Sequence, residues 1–362
     1  MRVVIFGLSI SSSWGNGHAT LWRGLCSALA ERGHSVIFFE KDVPYYASTR
    51  DLYSLPRGTL ILYKEWNNVA SRARRELSGA DLAVVSSFCP DAIVASEFIL
   101  DSTAEVRCFY DLDSPVTLAA IEGLEPVSYI GPRGLADFDL VLSYAGGPAL
   151  QKLQTLLGAH TVAPLYGSVD PSIHCPVEPV QHFRSDLSYL GTYAADRQTR
   201  LEALFVEPAR RRPTRRFVIG GSMYDDRFPW QPNIHLVRHL PPADHPAFYC
   251  SSSLTVSISR QAMFENGYCP SGRLFEAAAC GVPILSDNWP GLSLFFEPES
   301  EILVAEDTAS ALAALDGSPG DLANVARRAR DRVMEQHTSA HRVQELEAIM
   351  DTVRQRAPAG AK

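Results

Sequence analysis

No apolar run in the 362 residues approaches the about 20 that a membrane-spanning helix requires, so no span is expected. The seven cysteines (Cys26, Cys89, Cys108, Cys175, Cys250, Cys269 and Cys280) include no Cys-x-x-Cys pair. That spacing offers no zinc clip, and with several thiols inside apolar runs it suits a reducing compartment. Positive charge is in deficit, with 33 Lys+Arg against 41 Asp+Glu and a net charge of −8. The balance argues against a general nucleic-acid binder, although a local basic groove remains compatible with it. The opening strand-like run, Arg2 to Leu8, is too short for a signal segment with a cleavage site, and a cytoplasmic location is expected. No internal repeat is present, and only the tail Ala357 to Lys362, small and Pro-containing, reads as frayed.

What is there is an ordinary globular composition, 46% hydrophobic and 20% charged, on a chain long enough for two domains. Apolar runs at 3–8, 35–39, 59–63, 82–86, 106–110 and 140–143 alternate with helical or turn-rich segments. A second series follows at 187–193, 217–220, 254–259, 282–286 and 301–304. Strand, loop, helix, strand is the parallel βαβ pattern, so the expected fold class is α/β with two Rossmann-like, doubly wound domains. The expected boundaries are 1–168, 169–338 and a last segment 339–362. The stretch Val162 to Pro171 is read as the crossing between the domains, and Pro176 and Pro179 as its stiff extension.

The most informative stretch is Pro270 to Asp287. Ser271 can cap a short helix, Gly281 supplies its left-handed stop, and Val282 to Ser286 is a buried strand. The helix start offers backbone N–H groups, a partial positive charge, an unobstructed Gly272 and the guanidinium of Arg273, a place for phosphate oxygens. Glu276, one turn on, could accept hydrogen bonds from a ribose hydroxyl pair; the alternative is an ordinary capped helix with Glu276 paired to Arg273. Gly221 and Ser222 end the 217–220 strand, so their N–H groups could meet a nucleotide. Arg260 follows the 254–259 strand as a second diphosphate contact, or as a plain surface arginine. Arg210, Arg211, Arg212, Arg215 and Arg216 read as a solvated loop at the opposite, amino-terminal edge.

In the first half, Gly15-Asn16-Gly17 lacks the third glycine of a dinucleotide fingerprint, so a dehydrogenase reading is weak. Asp111 and Asp113 end a strand, where they could orient an acceptor hydroxyl or simply make Asx turns and cap the next helix.

From about Phe217 to Val343 the chain resembles the C-terminal domain of GT-B glycosyltransferases. The likeness is to the CgeB-like (spore-maturation-protein-like) group related to retaining glycosyltransferase family 4. The residues that carry it are Ser271 to Pro283, Phe296-Glu297-Pro298, Glu301-Ile302-Leu303, Glu335-Gln336-His337-Thr338 and His341-Arg342. The resemblance implies two domains facing across a cleft, with the terminal helix crossing back to the first. It implies Glu276 as the ribose ligand. The first glutamate of the family 4 pattern would fall at Tyr268, with Glu265 nearby but out of register. It further implies Arg197 facing the donor phosphates, His239 and Leu240 in the segment that holds the base, and Gly15, Asn16, Gly17 and His18 lining the cleft.

The activity so implied is transfer of a sugar from a nucleoside-diphosphate donor to an unknown acceptor (small molecule, glycan or protein), with retention. His18, Asp111 and Asp113 are the candidate catalytic groups. Arg260, Arg273 and the helix start would stabilise the leaving β-phosphate without a metal or other cofactor, which suits a second domain with no Asp-x-Asp. Asp111-Leu112-Asp113 spells that motif in the first half, where no metal is assigned to it. The competing expectations are a sugar-nucleotide epimerase on the same scaffold and a non-catalytic nucleotide-sugar-binding or assembly protein. Donor sugar, base, acceptor and oligomeric state are not written in these motifs.

Overall fold

The computed structural model describes residues 1–356, so the tail expected at 357–362 lies outside the described residues. The chain forms two compact units: Met1–Tyr166 with the segment from Ser339 onward, and Gly167–Thr338.

The first unit is built on a seven-stranded parallel sheet. Its strands are β1 (Arg2–Gly7), β2 (Ser35–Lys41), β3 (Gly58–Tyr63), β4 (Leu82–Ser86), β5 (Val106–Asp111), β6 (Leu140–Ser143) and β7 (Val162–Pro164), in the order β3-β2-β1-β4-β5-β6-β7. Helices cover both faces, so the central strands read as unbroken apolar runs rather than alternating ones: β1, β4 and β6 are buried nearly throughout. The helix Gly17–Glu31 begins where Asn16 accepts a hydrogen bond from the His18 N–H, and its Trp22 packs edge-on to Phe38 and Tyr110. The last helix, Ser339–Arg356, adds Val343, Leu346 and Met350 to the same core. Its Glu347 is held by Arg32 and His34.

The second unit carries a six-stranded parallel sheet: β8 (Leu187–Leu190), β9 (Phe217–Gly221), β10 (Ile234–Arg238), β11 (Thr255–Ser257), β12 (Ile284–Asp287) and β13 (Leu303–Ala305), in the order β10-β9-β8-β11-β12-β13. In each sheet the winding reverses once, between β1 and β4 and between β8 and β11. Loops part there at the strands' carboxyl ends and leave a crevice.

Two details depart from the sequence reading. Val162–Pro164, expected within the crossing, is an edge strand paired to β6, and the two units divide after Tyr166. Ile234–Arg238 is a strand where none was expected. The helical stretch between β8 and β9 is broken into Gln198–Leu201, a π turn Glu202–Val206, and Glu207–Arg211. Pro208 has no N–H to return to the preceding turn, and a π bulge is one way a helix absorbs that. Among the described residues no helix is long and apolar enough to cross a membrane.

Candidate functional site

At the second unit's crevice, three loops and one helix converge. Arg273, in the first turn of the helix Gly272–Ala279, lies across the reversal: it donates to the Leu190 carbonyl at the end of β8 and to the Ile258 carbonyl just past β11. Its Nε donates to Ser271 Oγ at 3.0 Å. Ser271 holds the N-cap position, yet its side chain caps no backbone N–H, so the expected capping bond is absent and the positive helix end keeps its pull on an anion.

Arg197 and Arg260 stand beside Arg273. Arg260 Nε pairs with Asp196 at 3.0 Å, while Arg197 donates to the Thr192 carbonyl at 3.2 Å and has a buried Nε without a protein partner. Burial lowers the Arg197 pKa, and the charges of Arg273 and Arg260 lower it further. Three guanidinium groups thus lie together, with Asp196 paired to Arg260 and Glu276 acting on Arg273. Such an excess of charge in a partly buried place asks for an anion with several oxygens.

The backbone here is built for close approach. A side chain on Gly191 would meet Arg273 Nη1 at 2.5 Å, and one on Gly221 would collide with the Gly191 carbonyl. Ser222 follows Gly221, with its hydroxyl 3.4 Å from Thr192 Oγ1. Met223, His239 and Tyr268 all adopt positive φ in loops at this edge, as Phe88 does at the edge of the first sheet. Non-glycine residues in this region are uncommon and cluster where a site over-determines the backbone. The His239 N–H donates to the Gly221 carbonyl, and Tyr268 packs over Gly291. Glu265 sits exposed on a short helix, Gln261–Asn266, bonded to Gln261.

Glu276 is buried, at 6% exposure, and it faces two histidines rather than Arg273 alone: His245 Nδ1 at 3.5 Å and His174 Nε2 at 3.9 Å. Burial, the largest single influence, would raise its pKa; His174, His245 and Arg273 together outweigh it and hold the carboxyl at about 2. Leu240 contributes through its carbonyl, which lies 3.3 Å from His245 Nε2. Sequence reading passed over His174, because nothing local marks it: its partners lie about 70 and 100 residues away.

In the first unit the loop after β1 wraps a carboxylate that sequence reading also missed. Glu40, 1% exposed at the end of β2, accepts from Ser9 Oγ, Ile10 N, Ser11 N and Ser11 Oγ at 2.6–3.0 Å. Asn16 closes the same loop through Nδ2 to the Ser9 and Ser12 carbonyls, so its side chain is occupied structurally. Gly15 takes φ +58, and nothing lies within 4 Å of where a Gly17 side chain would stand.

His18 Nε2 lies 2.8 Å from Asp113 Oδ2, which also accepts from Ser87 Oγ at 3.2 Å. Asp113 occupies the N-cap position of the helix Ser114–Glu122 without capping it; its carboxylate is turned to His18. Asp111 does the turn chemistry instead, accepting from Asp113 N and Thr117 Oγ1, both at 3.0 Å. Burial, then the neighbouring Asp113 charge, pushes the Asp111 carboxyl up to about 7. With Nε2–H given to a carboxylate, the bare lone pair of His18 is on Nδ1, which has no protein partner.

These two doubly wound units define the GT-B architecture. The comparisons with known proteins agree with it. A glycosyl transferase-like family model matches residues 197–348, a span that begins at Arg197 and includes Arg260, Arg273 and Glu276. The chain is similar to sucrose-phosphate synthase from Thermosynechococcus elongatus, with TM-score 0.67 and 13% identity over 97% of this chain and 98% of that one. It is similar to Anabaena HepE in complex with UDP and glucose, with TM-score 0.68 and 10% identity over 97% and 100%. An alpha-glucosyltransferase in complex with UDP matches with TM-score 0.69 and 13% identity over the same shares. No curated protein matches the chain.

Proposed function

We propose that the protein transfers a glycosyl group from a nucleoside-diphosphate sugar, with a uridine nucleotide as the first donor to test, to an acceptor hydroxyl. The observation that carries the reading is the clustering of Arg197, Arg260 and Arg273 beside the uncapped start of the helix Gly272–Ala279, with Asp196 paired to Arg260. The glycosyl transferase-like match over 197–348 and the UDP-bound fold neighbours support it.

In this reading Arg197 and Arg260 bind the diphosphate. Arg273, whose donors serve backbone carbonyls and Ser271, contributes mainly its charge. As the bond from the sugar to the β-phosphate breaks, negative charge grows on oxygens already facing these fixed cations, and the leaving group is stabilised by the chain's own residues. Glu276 accepts from the ribose hydroxyls, the Gly221–Ser222 turn meets the nucleotide, and the 239–240 backbone borders the base. The acceptor side falls to His18, Asp113 and the Gly15–Gly17 loop.

The resemblance to the CgeB-like group and family 4 favours retention of anomeric configuration, with the leaving phosphate taking the acceptor proton. The His18–Asp113 pair favours a second reading, direct displacement with inversion, in which His18 takes that proton and Asp113 steadies the imidazolium. Product stereochemistry by NMR separates the two. Incubation with UDP-sugars and an acceptor library tests the function itself. Release of UDP that depends on an acceptor is expected. Acceptor-independent isomerisation would instead make it an epimerase, and binding without turnover a carrier.

A further inference from the structure

The His174–His245–Glu276 cluster has an arrangement that ribose recognition does not account for. The Leu240 carbonyl can only accept, so at 3.3 Å it fixes the proton of a neutral His245 on Nε2. Nδ1 then presents a lone pair to the Glu276 carboxylate 3.5 Å away, two acceptors face to face. His174, 2% exposed, aims Nε2 at the same carboxylate from 3.9 Å, and neither of its ring nitrogens has a protein partner. The Tyr249 hydroxyl beside Glu276 is also unpartnered. Four acceptors or orphaned polar atoms converge on a point whose neighbouring cation, Arg273, spends its donors on Ser271 and backbone carbonyls.

We infer that His174, His245 and Glu276 form a binding site for a divalent transition-metal ion, zinc in the first instance. One ligand atom from each lies within 4.8 Å of the other two. Ligands about 2.0–2.1 Å from a tetrahedral zinc are about 3.3 Å apart, so the spacings of 3.5, 3.9 and up to 4.8 Å must close by about 0.2 to 1.5 Å. Two imidazoles and a carboxylate form a donor set of intermediate softness, suited to zinc and cobalt rather than magnesium or calcium. The Leu240 carbonyl on the far nitrogen of His245 is the outer partner that such ligands use to fix their tautomer. The competing occupant is a proton on either ring.

The test titrates the metal-free full chain with zinc by calorimetry and with cobalt by absorption, near pH 7.5. One ion per chain is expected. X-ray absorption at the zinc edge should show two imidazoles and no sulfur, although Cys175, Cys250 and Cys280 lie nearby. His174→Gln and His245→Gln should each weaken binding at least about tenfold, and Cys250→Ser with Cys280→Ser should leave it unchanged. The unmutated protein's zinc-edge spectrum serves where a variant fails to fold. Absence of uptake, sulfur in the first coordination sphere, or binding that survives both histidine variants would overturn the site. Because the ion occupies Glu276, zinc should also weaken UDP binding at least about tenfold, a consequence that rests on the ribose role proposed above. Zinc uptake without that competition supports the ion site and removes Glu276 from ribose recognition.

Discussion

Asp111 and Glu276 are both buried carboxylates at a carboxyl-edge crevice, one in each unit, and their surroundings drive them apart. Asp111 has a hydroxyl, a backbone N–H and a second acid around it, and titrates at about 7. Glu276 has two imidazoles and a guanidinium, and stays ionised down to about 2. Burial acts on both in the same direction; what differs is the charge that the neighbouring loops supply. The same contrast holds for the two edges as wholes. Arginines gather on the second, while the first offers a histidine held by an acid, so the proposed function assigns phosphate binding and proton handling to different sheets.

The largest effect expected from breaking this division is on turnover. In the inverting reading, His18→Ala should lower kcat by about 10²–10⁴ while leaving UDP affinity intact, since a positioned base works only on the acceptor proton. Parallel loss of UDP affinity would place His18 on the donor side. On the other edge, Arg260→Ala or Glu276→Ala should cut UDP affinity by about 1–3 kcal/mol, the loss of one charged hydrogen-bonding group. Calorimetry that finds both unchanged would dissolve the proposed donor site.

A smaller effect concerns stability. The folded pKa of Asp111 lies above its unfolded value, so its contribution is fully present at acid pH and is lost as pH rises through about 7. Asp111→Asn, which keeps an acceptor for Asp113 N and Thr117, should therefore flatten the stability profile and gain on the order of 1–2 kcal/mol at pH 8. A profile that falls as steeply as before would assign the alkaline loss to another group. Glu276 runs the opposite way: its contribution is present above the unfolded carboxyl pKa and is lost as pH falls toward about 2. The smallest effect is expected at the amino-terminal edge of the second sheet. Arg215 already pairs with Asp186 there, and Arg215→Ala should change UDP affinity by less than about twofold.

The α/β alternation was legible because strands buried on both faces leave apolar runs and helices between them leave caps and glycine stops. β10 was not, because Ile234–Arg238 is an edge strand with a mixed burial pattern, and β7 is only three residues ending in Pro164. Local motifs also brought the helix start at Ser271–Arg273 into view, since its residues are adjacent in sequence. They could not show that Ser271 bonds to Arg273 instead of the backbone, or that Arg273 is tied to Leu190 and Ile258. Glu40 and His174 were invisible for a common reason: each acts on groups about 30 to 100 residues away, and no spacing rule joins them before the sheet does. Asp111 and Asp113 were both read as ambiguous, and only the contact with His18 distinguishes Asp113 from Asp111, the turn-former.

The central claim is that the arginine-lined edge of the second unit holds a nucleoside diphosphate. Its most direct test is thermal unfolding of the full chain with UDP, GDP, ADP, CMP and dTDP in turn, repeated with Arg260→Ala. A ligand at about a hundred times its dissociation constant stabilises the native state by about 2.7 kcal/mol, a shift of a few degrees. The account predicts such a shift with UDP, diminished in the variant. An unmoved transition with every nucleotide, or a UDP shift that Arg260→Ala leaves whole, would contradict it.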